Sequence, residues 1–176
     1  ETPKEIVLKF EGGINEYTKF LNEGKKVVPD EPLFISGEQN DVIAELSMQF
    51  NDGYDERIFS YVNDINTRQG GTHLDGYKNA LTFVMNKFLE QNEKLFKKLN
   101  PKWNPKATKE QKDKGKEIKI EKLSGEDVRT GLTAVLSVKV PEPEFVGQTK
   151  DRLGNTEVRT IVDALVKEKL IIWLEQ

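Results

Sequence analysis

The strongest constraint on the fold of this chain is the regular alternation of apolar residues over 132–140. Every second residue from Leu132 to Val140 is apolar, and three of the four residues between them are polar: Thr133, Ser137 and Lys139. Successive side chains of a β-strand point to opposite faces, so this period of two predicts a strand with one buried face. The proline that follows ends the strand, because it cannot donate to a ladder.

The segment that follows the strand, residues 141–155, has the composition of a loop. Two prolines and two glycines favour turns, and Gln148, Thr149 and Lys150 lie near the middle. A flexible ammonium beside an amide and a hydroxyl is suited to contact a terminal phosphate. Most loop lysines are simply solvated, so the tripeptide alone does not separate the two interpretations.

Two long segments have the period of amphipathic helices, and each follows a candidate cap. Thr72, with Asp75 three residues later, predicts the start of the first helix, and Asn155 or Thr156 predicts the start of the second. Apolar residues then recur every three or four positions. They are Leu74, Tyr77, Leu81, Val84 and Phe88 in the first helix, and Val158, Ile161, Val162, Leu165, Ile172 and Trp173 in the second.

Shorter patterns predict the remaining elements. Strands are expected at residues 4–10, 33–36 and 42–50, with a turn at 37–41 and with Met48 on the core face. Asn-Asp-Gly at 51–53 predicts a hairpin whose second strand is 57–62. A short helix is expected over 14–21, and a capping box at Ser124 begins another. Strands and helices in mixed order indicate an α+β fold in which helices cover one sheet.

The composition excludes several kinds of site. The chain has no cysteine and one histidine, His73, so it cannot build a thiolate or histidine-rich metal centre, and we expect no metal site. We interpret His73 as a packing or hydrogen-bonding residue. The glycine-rich stretch before it lacks the spacing of the common nucleotide-binding loops. No apolar run approaches the roughly 18 residues that a membrane span needs.

Positive charge is concentrated in residues 94–122. That segment has 11 lysines and 4 acidic residues, a charge of +7, whereas the whole chain carries −3. A solvated insertion and a basic arm that contacts duplex phosphates both fit this composition. The second possibility supports an alternative function, a non-enzymatic module that binds nucleic acid or a partner through the 94–122 segment.

Four blocks of sequence, at residues 10–14, 63–77, 124–134 and 145–159, resemble one family in the family's order. They include Gly-Gly-Thr-His at 70–73 and Gly-Gln-Thr-Lys at 147–150. The chain resembles the transducer domain of the DNA gyrase B family, in the bacterial type IIA DNA topoisomerases, and this sequence does not separate that family from the paralogous topoisomerase IV subunit. The resemblance implies a ribosomal-protein domain-2-like fold with a left-handed βαβ crossover. We therefore expect residues 1–176 to be a single transducer domain excised from a larger subunit, with 94–122 as an insertion.

The same resemblance implies a function. Lys150, with Gln148 beside it, would contact the γ-phosphate of ATP, whose adenine and Mg²⁺ are bound mainly by an N-terminal ATPase domain that lies outside this chain. Hydrolysis would be coupled to DNA strand passage and supercoiling, together with a DNA-cleaving subunit. Lys78, Lys87 and Lys94 would face duplex DNA. The full subunit would dimerise on binding ATP in the bacterial cytoplasm, near the nucleoid, whereas this fragment would be an inactive monomer.

Overall fold

The computed structural model describes residues 13–94, 98 and 122–176, and within them strands and helices occur in mixed order. The strand predicted at 4–10 and most of the 94–122 segment lie outside these residues. The elements are α1 (Ile14–Leu21), β1 (Val27–Gln39), β2 (Val42–Asn51), β3 (Arg57–Val62), β4 (Ile65–Asn66), α2 (Thr72–Gln91), α3 (Gly125–Arg129), β5 (Leu132–Lys139) and α4 (Thr156–Leu174).

The five strands form one mixed sheet in the order β1-β2-β5-β3-β4. β5 pairs antiparallel with β2 and parallel with β3, and β4 pairs antiparallel with β3. The predicted hairpin between 42–50 and 57–62 is therefore wrong, because β5 lies between these two strands. The turn itself forms, since Asn51 Oδ1 accepts a hydrogen bond from Gly53 N at 2.8 Å. It leads the chain across the sheet instead of back along β2.

β5 is the central strand of the sheet and is buried on both faces. One face packs under α2 and α4, and on the other face Val135 joins a cluster with Ile14 and Tyr17 of α1. Thr133, predicted on an outer face, is fully buried and donates a hydrogen bond to Asn22 Oδ1 at 2.8 Å. The strand was predicted correctly, but its second face is covered by α1.

A parallel pair such as β3 and β5 requires a crossover connection, and here that connection contains α2 and α3. α3 begins with the predicted capping box between Ser124 and Asp127. The α+β class with one mixed, helix-covered sheet is confirmed. The left-handed sense of the crossover stays a prediction.

The helices α2 and α4 lie side by side and run in the same direction over the sheet. At Gly76 they approach so closely that a Cβ atom there would lie 2.4 Å from the carbonyl oxygen of Arg159. One turn later, Asn79 Nδ2 donates to Asp163 Oδ1 at 2.7 Å. The predicted apolar stripe of α4 is wrong at Ile172 and Trp173, which are exposed. The last turns of α4 direct Leu170, Ile171 and Leu174 toward the core, so Ile172 and Trp173 lie on the outer side of the helix.

The first strand is longer than the predicted 33–36 and contains two prolines. Its register with β2 shifts between Val28 and Leu33, so Pro29 and Pro32 fall in an irregular stretch of an edge strand. The predicted turn at 37–41 is too wide. The hairpin turns at Asn40 and Asp41, which have φ of 50° and 62°. Asparagine and aspartate tolerate this left-handed conformation better than most residues.

Candidate functional site

The 141–155 loop is held by backbone hydrogen bonds to the segment that precedes α2. Leu153 forms a parallel bridge with Gly71. Its N–H donates to Gly70 O at 3.1 Å, and its carbonyl accepts from Thr72 N at 3.1 Å. A further bond joins Gln69 N to Asp151 O at 2.9 Å. The base of the loop is thereby fixed to the start of α2.

The two limbs of the loop are also bonded to each other. Leu153 forms an antiparallel bridge with Phe145. Val146 N donates to Arg152 O at 2.8 Å, and Gly154 N donates to Glu144 O at 2.7 Å. This short ladder leaves residues 147–151 as the tip.

Gln148, Thr149 and Lys150 are adjacent and exposed on this tip. Among the residues that the structure describes, Lys150 has no hydrogen bond and no ion pair, so its ammonium group is available to an incoming anion. The loop thus presents a flexible cation from a well-bonded base. Its contact with a phosphate stays a prediction.

The start of α4 lies where it was predicted, and one of the two candidate cap residues is correct. Asn155 is the N-cap residue, yet its side chain makes no capping hydrogen bond. Instead, Asn155 Oδ1 accepts from Glu144 N at 2.6 Å, and its Nδ2 donates to Glu142 O at 3.1 Å and to Glu157 Oε1 at 2.9 Å. Asn155 therefore joins the two limbs of the loop.

The predicted cap of α2 is wrong. Gly71, not Thr72, is the N-cap residue, and no side chain caps this helix. Gly71 has φ of 132°, and a Cβ atom on it would lie 2.4 Å from both the N and the O of Leu153. The bridge to Leu153 thus requires glycine. The sequence shows the glycine, but only the folded chain shows that Leu153 lies against it.

His73 is fully buried beneath this junction, as expected of a packing residue. Its Nε2 lies 3.0 Å from Thr67 Oγ1, which is also hydrogen-bonded to Ser60. Burial removes the imidazolium from water and lowers the pKa of His73 to about 4. The ring is therefore neutral at physiological pH.

The buried His73 predicts a loss of stability in mild acid. The pKa of His73 is lower in the folded state than in the unfolded chain, so the unfolded chain binds the extra proton between pH 6.5 and about 4. The free energy of unfolding should fall by about 2 kcal/mol from pH 7 to pH 5. Urea unfolding at several pH values measures it. A His73→Gln variant should have a much flatter profile over that range, and an unchanged slope would contradict the assignment to His73.

The three lysines predicted to face DNA do not form one stripe. Lys78 Nζ lies 3.4 Å from Glu56 Oε1, the oxygen that also lies 3.0 Å from Arg129 Nε. Lys87 is exposed and follows nine residues later, about half a helical turn around α2. Lys94 is exposed beyond the end of α2. Contact of these residues with DNA stays a prediction.

Two other kinds of feature are absent from residues 13–94 and 122–176. No three histidine, aspartate or glutamate side chains there are grouped so that they could hold a metal ion. No helix in the same residues combines the length and the apolar character that crossing a membrane requires.

Comparison with known proteins assigns the family. The sequence profile of the DNA gyrase B family matches residues 13–112 and 106–176. The chain belongs to the DNA gyrase B family. It is 54% identical over 175 residues to the DNA gyrase B protein of Treponema denticola, an alignment that covers 99% of this chain and 25% of that protein. The chain thus spans about a quarter of the length of the curated gyrase B relatives it matches.

Two solved structures share the fold. One is the 43K ATPase domain of Thermus thermophilus gyrase B in complex with an aminocoumarin, with a TM-score of 0.74, 31% identity, and coverage of 94% of this chain and 38% of that one. The other is the topoisomerase IV ATP-binding domain of Francisella tularensis in complex with a small-molecule inhibitor. Its TM-score is 0.65 at 30% identity, covering 95% of this chain and 39% of that one.

Proposed function

We propose that this gyrase B family chain is a transducer domain, spanning residues 1–176, of the ATP-hydrolysing subunit of a type II DNA topoisomerase. In this proposal it supplies Lys150 to the γ-phosphate of ATP and couples hydrolysis to DNA strand passage and supercoiling. The similarity to gyrase B and to solved ATPase-region structures supports the assignment.

The observation that carries the proposal is the exposure of the Lys150 side chain on a loop whose backbone is well bonded. Its ammonium is exposed and unpaired within the described residues, while the backbone below it is bonded on both sides, by Val146 to Arg152 and by Gln69 to Asp151. A lysine held this way can meet an anion without first breaking an internal ion pair.

The chemistry of phosphoryl transfer explains why a lysine is needed there. Negative charge spreads over the γ-phosphoryl oxygens in the transition state, and a cation already in place stabilises it. Gln148 adds a neutral hydrogen-bonding group beside Lys150. ATP and Mg²⁺ would be bound mainly by the N-terminal ATPase domain of the same subunit, so the described residues alone should not hydrolyse ATP.

The second part of the proposed mechanism is the transmission of the nucleotide state. ATP attracts Lys150 through its γ-phosphate and ADP does not, so hydrolysis changes the relative free energies of two orientations of the domain. The loop continues into β5 at one end and into α4 at the other, and Leu153 ties it to α2. A displacement of the tip would therefore move both helices. Duplex DNA, the DNA-cleaving subunit and a second ATP-bound subunit are the proposed partners, in the bacterial cytoplasm.

The test of this proposal is ATP turnover by the full-length subunit carrying Lys150→Ala. Turnover should be largely lost while nucleotide binding is retained. Near-normal turnover would refute the role of Lys150.

A second candidate function is the binding of nucleic acid through the 94–122 segment. Lys94 and Lys122 are the two ends of the segment, Lys87 precedes it, and all three side chains are exposed. Most of the segment itself is outside the described residues. This candidate predicts duplex affinity that falls steeply with salt, because each neutralised phosphate releases counterions.

Filter binding of duplex DNA across a salt series tests the second candidate. Deletion of residues 95–121 should weaken binding and reduce the salt slope, whereas Lys150→Ala should change neither. Equal affinity and slope with and without the segment would exclude it as the binding surface.

A further inference from the structure

Asn155 makes the most specific side-chain contacts in the loop. It is 5% exposed, and its amide makes three hydrogen bonds within the loop and the first turn of α4. The oxygen accepts from Glu144 N at 2.6 Å, and the nitrogen donates to Glu142 O at 3.1 Å and to Glu157 Oε1 at 2.9 Å. Rotating the amide by half a turn would place donor against donor at Glu144 and acceptor against acceptor at the other two partners.

These bonds fix the separation of the two limbs. Glu142 and Glu144 belong to the limb that leaves β5, whereas Asn155 and Glu157 belong to the limb that enters α4. Gly154 N donates to Glu144 O at 2.7 Å, so Glu144 is bonded to the opposite limb through both its N–H and its carbonyl. Lys150 lies at the far end of both limbs, so a change in their separation at Asn155 would reach its ammonium through the bridge between Phe145 and Leu153.

The contacts also explain why the residue is asparagine. Alanine would remove all three bonds, and aspartate would keep the acceptor for Glu144 but lose both donors. Aspartate would also place a second carboxylate beside Glu157. Only a side chain with one acceptor and two donors at this length satisfies all three partners.

We propose that Asn155 is the positioning residue for Lys150: its amide holds the limbs of the 141–155 loop at the separation that sets the ammonium against the terminal phosphate of ATP. This inference rests on the proposed function of Lys150. Asn155 itself touches neither the nucleotide nor the reacting atoms.

The test uses ATP turnover by the full-length subunit in four forms: unchanged, Asn155→Ala, Lys150→Ala, and the double variant. Asn155→Ala should lower kcat on the order of 10-fold, since small misplacements of a catalytic group have effects of that size or larger. KM for ATP should change by less than about two-fold, because the lost contact is strongest in the transition state. In the Lys150→Ala background, Asn155→Ala should cause no further loss of kcat.

The four forms separate failure of this inference from failure of the proposed function. An unchanged kcat in Lys150→Ala would refute the proposed function. A normal kcat in Asn155→Ala beside a lowered one in Lys150→Ala would overturn the positioning role alone. So would an equal loss from Asn155→Ala in both backgrounds, which would indicate a general effect on the fold.

A second pair of variants keeps the test decisive if alanine prevents folding. Asn155→Asp preserves the size and the acceptor for Glu144 but repels Glu157. Adding Glu157→Gln reverses donor and acceptor and restores the bond between positions 155 and 157. The double change should recover part of the kcat that Asn155→Asp loses, while thermal unfolding of each variant monitors the fold. Absence of any recovery in folded protein would overturn the proposal.

Discussion

Lys150→Ala in the full-length subunit should lower kcat for ATP by about 10²–10³, the usual cost of removing one fixed donor from a developing negative charge. The Lys150 side chain makes no hydrogen bond or ion pair within the described residues, so its removal breaks neither there and the fold should be unaffected. Binding of a non-hydrolysable ATP analogue should weaken only slightly, because most contacts to the nucleotide are proposed to lie in the N-terminal domain. Supercoiling should fall together with turnover.

Lys139→Ala is the matched control for this prediction. Lys139 is an exposed lysine at the end of β5, just before the loop, and makes no ion pair in the described part of the chain. Its removal changes the net charge by the same amount. Turnover by Lys139→Ala should stay within about two-fold of the unchanged subunit, since a surface charge away from the reacting atoms contributes little. Equal losses in the two variants would mean that the effect is one of general charge and not of a contact by Lys150.

Gly71→Ala should destabilise the folded chain by more than about 4 kcal/mol, a cost reserved for a few severe kinds of substitution. The φ of 132° at Gly71 is strained for any L-residue, and the new methyl group would lie 2.4 Å from two backbone atoms of Leu153. Backbone atoms cannot rotate aside as a flexible side chain can. Relief requires that the bridge between Gly71 and Leu153 open, which would also release the base of the loop. Urea unfolding of the two proteins measures the difference.

Gly24→Ala is the control that measures the cost of backbone strain without a steric clash. Gly24 also has a positive φ, 77°, but a Cβ atom there would meet nothing within 4 Å. Strain alone should cost about 1–2 kcal/mol at that position. If Gly71→Ala costs no more than Gly24→Ala, the close approach of Leu153 does not contribute to stability, and the loop is held mainly by its other hydrogen bonds.

Local patterns predicted the elements of this fold better than their arrangement. The period of two over 132–140 and the period of three to four after Thr72 depend only on neighbouring residues, and both elements form where they were expected. The neighbour of a strand depends on residues far along the chain. Nothing near Asn51 indicates that β5, some eighty residues later, displaces the expected hairpin partner.

The candidate site shows the same division. The composition of 141–155 was sufficient to predict a loop with Lys150 at its tip. The bridge from Leu153 to Gly71 and the contacts of Asn155 were missed, because each joins groups that only the folded chain brings together. Asn155 or Thr156 was predicted to cap α4, and Asn155 is the N-cap residue, a common position for asparagine. Its buried amide makes no capping bond, however, and bonds to the opposite limb.

The irregular stretch at the start of β1 has a consequence for self-association. Within residues 13–94 and 122–176, β1 is an outer strand of the sheet, and unpaired N–H and C=O groups on such a strand could otherwise template another copy of the chain. Pro29 and Pro32 have no N–H to donate to a second copy, and the exposed carboxylate of Asp30 between them would repel the same group on a second molecule. At high concentration, this border should therefore resist the strand-by-strand growth that leads to fibrils.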